Sequence, residues 1–208
     1  MIVSLNDKSP NQIYHLMTQT LIPRPIAWVL TDSSKEQESH NYNLAPFSYF
    51  TAVSSAPPLM MISIGKKPSG EDKDTITNVK NGSRLVIHIA SGDQFGDVTA
   101  SAETLEHGES EIDKLGLELS PFEGFSLPRL KNCHIAFGCR LFELQTIGDT
   151  PQQLLFAEVE SIYIDDKVVS TSQTGRVIVD ADKVSPLARL GASQYGLFGD
   201  IVSQSRPR

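Results

Sequence analysis

Apolar positions recur along the chain in runs of strand length, at residues 26–31, 48–54, 59–64, 84–90, 134–145 and 154–165. Some runs are continuous, as in Leu59-Met60-Met61-Ile62, the pattern of a strand covered on both faces. Others alternate. Ile135, Phe137, Cys139 and Leu141 fall on one face, and Ala136, Gly138 and Arg140 on the other, as in one half of a barrel wall. Short helical stretches lie between the runs. Asp74 is placed to cap a helix over 75–81 that Gly82 stops. Asp93 is placed to cap another, with Phe95, Val98, Ala102 and Leu105 on one stripe. Ser110-x-x-Asp113 before Leu115-Gly116 outlines a third, and residues 12–20 a fourth. Helices and strands do not alternate regularly, which argues against a doubly wound parallel sheet. The pattern predicts a mostly β fold with short helices, an antiparallel barrel with helical insertions.

Residues 31–40 and 66–73 are polar and read as hairpin-type loops, the second carrying the turn signal Pro68-Ser69-Gly70. After Gly175 the pattern weakens to an edge strand at 177–179 and then an arm. The division expected is one domain over 1–208, with a barrel at about 10–175 and an arm at about 176–208. Leu187, Leu190, Tyr195, Leu197 and Phe198 give the arm apolar surface, which we expect to be buried against a second subunit.

Composition narrows the function classes. Eighteen Lys and Arg against twenty-five Asp and Glu leave a net charge of −7, which disfavours a nucleic-acid binder. No apolar run approaches the roughly 20 residues that span a bilayer. The first twenty residues lack the basic start, apolar centre and small-residue cleavage site of a secretory leader. Cys133 and Cys139, if on one strand, lie about 20 Å apart, beyond disulfide reach. Two unpaired thiols suggest a reducing compartment, so the expectation is a cytoplasmic protein without membrane or nucleic-acid partners.

Several motifs are absent. Gly65-Lys66-Lys67 lacks the upstream glycine and the hydroxyl of a phosphate loop, and no G-x-G-x-x-G follows a strand. His15, His40, His88, His107 and His134 are scattered, and no C-x-x-C or H-E-x-x-H occurs, so no metal site is expected. Three polar clusters remain. Asn43-Leu44-Ala45-Pro46-Phe47-Ser48-Tyr49-Phe50 offers an amide and hydroxyls on a backbone stiffened by Pro46, or is simply a turn entering a buried strand. Lys73-Asp74-Thr75 at a helix start is suited to phosphate, or is an ordinary cap beside a solvated lysine. Arg24, between Pro23 and Pro25, is a rigidly mounted guanidinium or an ordinary surface arginine.

Together these blocks resemble the flavin reductase-like family. They run in order: Arg24-Pro25-Ile26-Ala27-Trp28-Val29, the Asn43–Phe50 block, Pro57-Pro58-Leu59 and Lys73-Asp74-Thr75-x-x-Asn78. Pro186-Leu187-Ala188-Arg189-Leu190-Gly191-x-x-x-Tyr195 is similar to the family's closing segment, so the likeness spans about residues 10–200. The resemblance implies the FMN-binding split barrel, an antiparallel Greek-key barrel, assembled as a homodimer with FMN near the interface. It places Asn43, Leu44, Ala45, Pro46 and Ser48, with Pro25, Ile26 and Ala27, along the flavin. Arg24, Lys73 and Thr75 would hold the phosphate, with Asp74 capping the helix and Asn78 supporting the loop, while Tyr195 would either close over the flavin or nicotinamide or pack in the dimer arm. The activity implied is transfer of hydride from NADH or NADPH through FMN to free flavin or another acceptor. No catalytic acid or base is assigned.

Two positions depart from the family pattern. Gly148-Asp149-Thr150 stands where many members have Gly-Asp-His, a motif on the nicotinamide side, and Gly138 stands where a Glu often occurs. The first leaves open an alternative: an FMN-binding electron carrier or flavin-holding protein without its own nicotinamide site.

Overall fold

Antiparallel pairing organises the chain, both between neighbouring strands and between strands far apart in sequence, such as 84–89 with 135–140 and 59–64 with 153–158. The computed structural model describes residues 1–34, 41–106, 109–149 and 151–205. Residues 35–40 of the first polar loop, His107 and Thr150 lie outside the described residues. Helix α1 (Pro10–Thr20) leads to strands β1 (Arg24–Pro25), β2 (Ala27–Asp32), β3 (Tyr42–Phe47), β4 (Phe50–Ser55) and β5 (Pro58–Ile64). Helix α2 (Asp74–Gly82) precedes β6 (Arg84–Ile89), and the short helices α3 (Phe95–Ala100) and α4 (Glu111–Leu115) follow it. Then come β7 (Leu119–Ser120), β8 (Arg129–Leu130) and the long hairpin of β9 (Ile135–Ile147) and β10 (Gln152–Ile164). The chain closes with β11 (Val169–Thr171), β12 (Val177–Val179), α5 (Ala181–Val184), β13 (Ala188–Arg189) and β14 (Tyr195–Gly196).

Seven strands form one sheet in the order β3-β2-β6-β9-β10-β5-β4. Strand alternation gives this sheet two cores. Ala27 and Val29 of β2, Leu85 and Ile87 of β6, Ile62 of β5, Cys139 of β9 and Leu155 of β10 fill the barrel interior, joined by Ile76 and Val79 of α2. The opposite parity, Trp28, Leu30, Val86 and Ala136, packs outward on Val98, Ile112 and Leu130. Both faces of β2 and β6 are covered, which is why their runs are continuous. Strand β5, expected to be covered on both faces, buries only Met60, Ile62 and Ile64 and leaves Leu59 and Met61 half-buried. Cys133 and Cys139 are buried and free, each thiol pushed up to about 12 by burial, so neither is a nucleophile at neutral pH.

Six of the seven strands in this sheet fall within two residues of their expected bounds at either end. Three details differ. Strand β3 takes up residues that also read as a turn, because it lies at the sheet edge, where Pro46 needs no ladder donor. Lys73, not Asp74, is the N-cap of α2, and the left-handed stop is Ser83 (φ 58°) rather than Gly82. Asp93 does not cap α3. It lies inside a 3-10 turn over Gly92–Gln94, capped by Ser91. At the expected third helix the Ser110 cap and the Gly116 stop are both in place.

Gly138 has a packing reason. A Cβ there would lie 2.9 Å from the Phe125 ring and 2.7 Å from Ser161 Oγ, so a glutamate does not fit. The arm folds back on its own chain: β13 pairs with β1, and Leu187 is buried in the outer core. Leu187 is thus satisfied without a second subunit, whereas Leu197 and Phe198 remain exposed.

His88 ties the outer layer together. Its Nε2 accepts the Leu130 N–H at 2.9 Å, so its proton sits on Nδ1, facing Trp28 O at 3.0 Å. Burial lowers its pKa to about 4 from 6.5. The unfolded chain therefore binds this proton near pH 6.5 and the folded chain only near pH 4. Stability from His88 is complete above that window and is lost as pH falls through it, by on the order of 3 kcal/mol. Denaturant unfolding at pH 7 and pH 4.5 should show a steeper acid loss in the wild type than in His88→Gln, and equal losses would refute this account.

Candidate functional site

Two adjoining hollows line the edge of β3. The larger, about 800 Å³, is bounded by Tyr14 and Met17 of α1, Ile26, Pro46, Phe47, Ser48 and Tyr49, with Tyr195 and Arg189 of the arm opposite. The smaller, about 70 Å³, is bounded by Asn43, Ala45, Lys67, Asp74, Thr75, Ser101 and Glu111. Pro46, Phe47, Lys73 and Ala102 border both, so the two form one groove. Its broad end is walled largely by apolar and aromatic groups, and its narrow end is polar. The total size lies within the few hundred to about 1,000 Å³ usual for cofactor sites.

The narrow end owes its character to the start of α2. First-turn N–H groups have no helical acceptor, and the dipole adds partial positive charge. Lys73 lies at this end, its Nζ 6.0 Å from the Phe47 ring centre, with no ion pair among the described residues. Lys67, beside it, is paired with Asp74 at 2.8 Å. This donor set fits a phosphate. Thr75 is buried, with its hydroxyl donating to Asn43 Oδ1 at 3.3 Å. Asn43 in turn gives Nδ2 to both Glu111 oxygens, at 3.0 and 2.9 Å, and Asn78 gives Nδ2 to Thr31 Oγ1 at 2.9 Å. Burial pushes the Glu111 carboxyl above its ordinary value, against the pull of the Leu44 N–H and Asn43 bonds.

Arg24 departs from the expectation that it contacts phosphate. Its guanidinium is buried, and Nη1 donates to Thr18 O and Leu21 O at 2.7 and 2.6 Å. Nη2 reaches Leu190 O at 2.9 Å and Nε reaches Ser48 Oγ at 3.2 Å. The arginine thus locks the end of α1 to the arm. It acts on the groove through Ser48, whose oxygen it fills as an acceptor, leaving the hydroxyl proton free to donate.

At the broad end, Tyr14 and Tyr49 pack with ring centres 6.2 Å apart. Burial, with a contribution from Tyr14, raises the Tyr49 pKa against the opposing Arg24 charge, so the phenol stays a neutral donor. Tyr195 is held in place by the Arg189 guanidinium, 4.6 Å from its ring centre, and by Thr99 Oγ1, which donates to its hydroxyl at 3.0 Å. Asp149 and Gln152, at the tip of the β9–β10 hairpin, reach the same rim.

Of the expected site residues, the groove brings together Ile26, Asn43, Ala45, Pro46, Ser48, Lys73, Asp74, Thr75 and Tyr195. Ala27 and Leu44 are instead packed in the cores, Pro25 pairs with Ala188, and Asn78 supports the wall from behind. Sequence reading missed Lys67, Glu111, Tyr14 and Ser101. Lys67 stood in a failed phosphate-loop motif and Glu111 inside a capping pattern. Nothing in their local spacing marks either as lining a groove.

The chain belongs to the flavin reductase like domain family, which matches residues 18–180. It is 31% identical over 210 residues to the protein YwrF of Bacillus subtilis, covering 99% of this chain and 98% of that one. Nitrilotriacetate monooxygenase component B from Bacillus cereus is similar in structure, with a TM-score of 0.86 and 29% identity over 98% of each chain. The 2-nitrobenzoate 2-nitroreductase NbaA of Pseudomonas fluorescens shares the fold, with a TM-score of 0.85 and 24% identity, covering 100% of this chain and 96% of that one. The architecture is the split barrel of flavin reductase-like proteins, as the sequence resemblance implied.

Replacing Arg24 by Ala leaves three backbone carbonyls without their charged donor. The expected loss is about 3 kcal/mol of unfolding free energy, read from denaturant melts. Arg24→Lys should recover only part of it, since one ammonium cannot span four acceptors. A neutral Arg24→Ala would contradict the locking role.

Proposed function

We propose that the groove binds FMN and that the protein is an oxidoreductase, taking hydride from NADH or NADPH and passing electrons to free flavin or another acceptor. The observation that carries this reading is the continuity of the groove: a cationic helix start opens directly onto a broad cavity with apolar and aromatic walls. Phosphate, a polar chain and a planar ring, in that order, match these surroundings. Membership of the flavin reductase like family and the likeness to a monooxygenase component from Bacillus cereus support the same class of activity.

Bound FMN supplies the two-electron redox chemistry. Lys73 and the first turn of α2 neutralise the phosphate. Ile26, Pro46 and Phe47 wall the ring and exclude water, and Ser48, fixed by Arg24, offers a donor hydroxyl. Tyr195 narrows the mouth opposite Tyr49, where a nicotinamide would enter beside Asp149. Assembly as a homodimer is part of the proposal: Val53 on edge strand β4 and Leu197, Phe198, Ile201 and Val202 of the arm are exposed apolar groups suited to a subunit contact. No helix among the described residues is long and apolar enough to cross a membrane. Cytoplasmic location is part of the proposal and rests on the two free thiols of Cys133 and Cys139, which suit a reducing compartment.

The Gly148-Asp149-Thr150 segment, which lacks the histidine found in many members, supports a second reading. An FMN-holding electron carrier would have the same phosphate end but take electrons from a partner protein. Anaerobic titration separates the two: the purified protein should be yellow, and NADH or NADPH should bleach it. Reduction by dithionite but by neither nucleotide would favour the carrier. Lys73→Ala should weaken FMN binding about 10- to 100-fold, as loss of a charge-assisted contact predicts. Unchanged FMN content after dialysis would refute the proposed phosphate site.

A further inference from the structure

We infer that Glu111 is the positioning residue for the phosphate end of the groove, acting through Asn43 on the first turn of α2; this rests on the FMN reading above. The argument begins with the sheet edge. Strand β3 has β2 on one side only, so alternate backbone groups face away from the ladder and need other partners. The start of α4 supplies them: Ser110 Oγ donates to Tyr42 O at 2.6 Å, and Glu111 accepts the Leu44 N–H at 2.9 Å. Between those two residues sits Asn43, whose Nδ2 also points at Glu111.

A carboxylate only accepts, so it fixes which way the Asn43 amide faces. With its NH₂ on Glu111, Asn43 turns Oδ1 toward Thr75 Oγ1 at 3.3 Å and Thr31 Oγ1 at 3.5 Å. Thr31 Oγ1 also accepts from Asn78 Nδ2. Thr75 and Asn78 are three residues apart and share a face of α2. The helix start that carries Lys73 is thereby latched to β2 and β3 at two points. Glu111 reaches no cation among the described residues; its donors are neutral N–H groups, so its orienting role is separate from any ion pair.

Glutamine at 111 keeps one acceptor where Oε2 takes both the Asn43 NH₂ and the Leu44 N–H, but sets its own NH₂ against the Asn43 NH₂ in place of Oε1. The two-oxygen hold on Asn43 gives way to a donor facing a donor, and Asn43 is free to turn Oδ1 away from Thr75. The phosphate end should loosen while the ring end is untouched. FMN and riboflavin differ only in the phosphate, so the ratio of their dissociation constants reads this directly. Fluorescence titration of Glu111→Gln should show FMN binding weakened about tenfold, with riboflavin affinity within about twofold of wild type. An unchanged ratio in a cooperatively melting variant, or equal losses for both ligands, would overturn the inference. If Glu111→Gln does not melt cooperatively, Glu111→Met serves, since apolar replacement of a buried charge is often tolerated, and the same ratio change is expected. Failure of both to fold would assign Glu111 to the fold rather than to the phosphate end. Wild-type protein that binds neither flavin would instead sink the FMN reading itself.

Discussion

The unpaired edge of β3 is the constraint on which the rest of the structure depends. A seven-stranded antiparallel sheet that curls without closing leaves backbone donors and acceptors exposed at each end, and buried ones must be satisfied. At Tyr42 and Leu44 the chain covers its own edge with the start of α4. At Pro46 there is no donor to satisfy, and here the edge becomes the wall of the groove. One strand thus changes along its length from a capped element to a binding surface.

Two sides of the groove are fastened to that strand or to the corner that follows it. Helix α2 is latched through Asn43 and Thr75, while its Ile76 and Val79 sit in the barrel interior. The corner after β3 is held by Arg24, which grips Ser48 and two carbonyls near the end of α1. The same guanidinium takes Leu190 O from the arm, so the arm that carries Tyr195 is anchored to the wall it faces. Because these ties are short and buried, the two sides of the groove are set by the fold rather than left to be drawn together by a ligand. A site arranged in this way loses little ordering entropy on binding.

Strands β2 and β6 were legible because burial on both faces leaves continuous apolar runs, and β9 because burial on one face leaves alternation, signals that survive without knowledge of the partners. Strand β3 was legible only as a polar block. Asn43 and Pro46 are poor residues for a central strand, and the edge position that admits them is a tertiary fact. Lys73 was readable because a helix start carries its chemistry locally. The role of Arg24 was not, since its acceptors are backbone carbonyls of Thr18, Leu21 and Leu190, the last 166 residues away. Main-chain carbonyls leave no trace in the side-chain sequence. Glu111 was hidden for the same reason: its partners are an amide group and a main-chain N–H 68 and 67 residues distant.

The charge arrangement follows from this economy of partners. A protein of net charge −7 has acids to spare around any cationic site, and most lysines near the groove are taken. Lys67 is paired with Asp74, while Lys66 and Lys80 share Asp72. Had Glu111 been neutralised by a lysine, the natural candidate at this end of the groove would have been Lys73. Holding the carboxylate with the Asn43 amide and the Leu44 N–H leaves Lys73 uncommitted among the described residues. A buried acid satisfied by neutral donors costs some stability through desolvation. In exchange the narrow end keeps Lys73, without an ion pair among the described residues, beside a helix start, which is what an anionic ligand needs in an otherwise acidic protein.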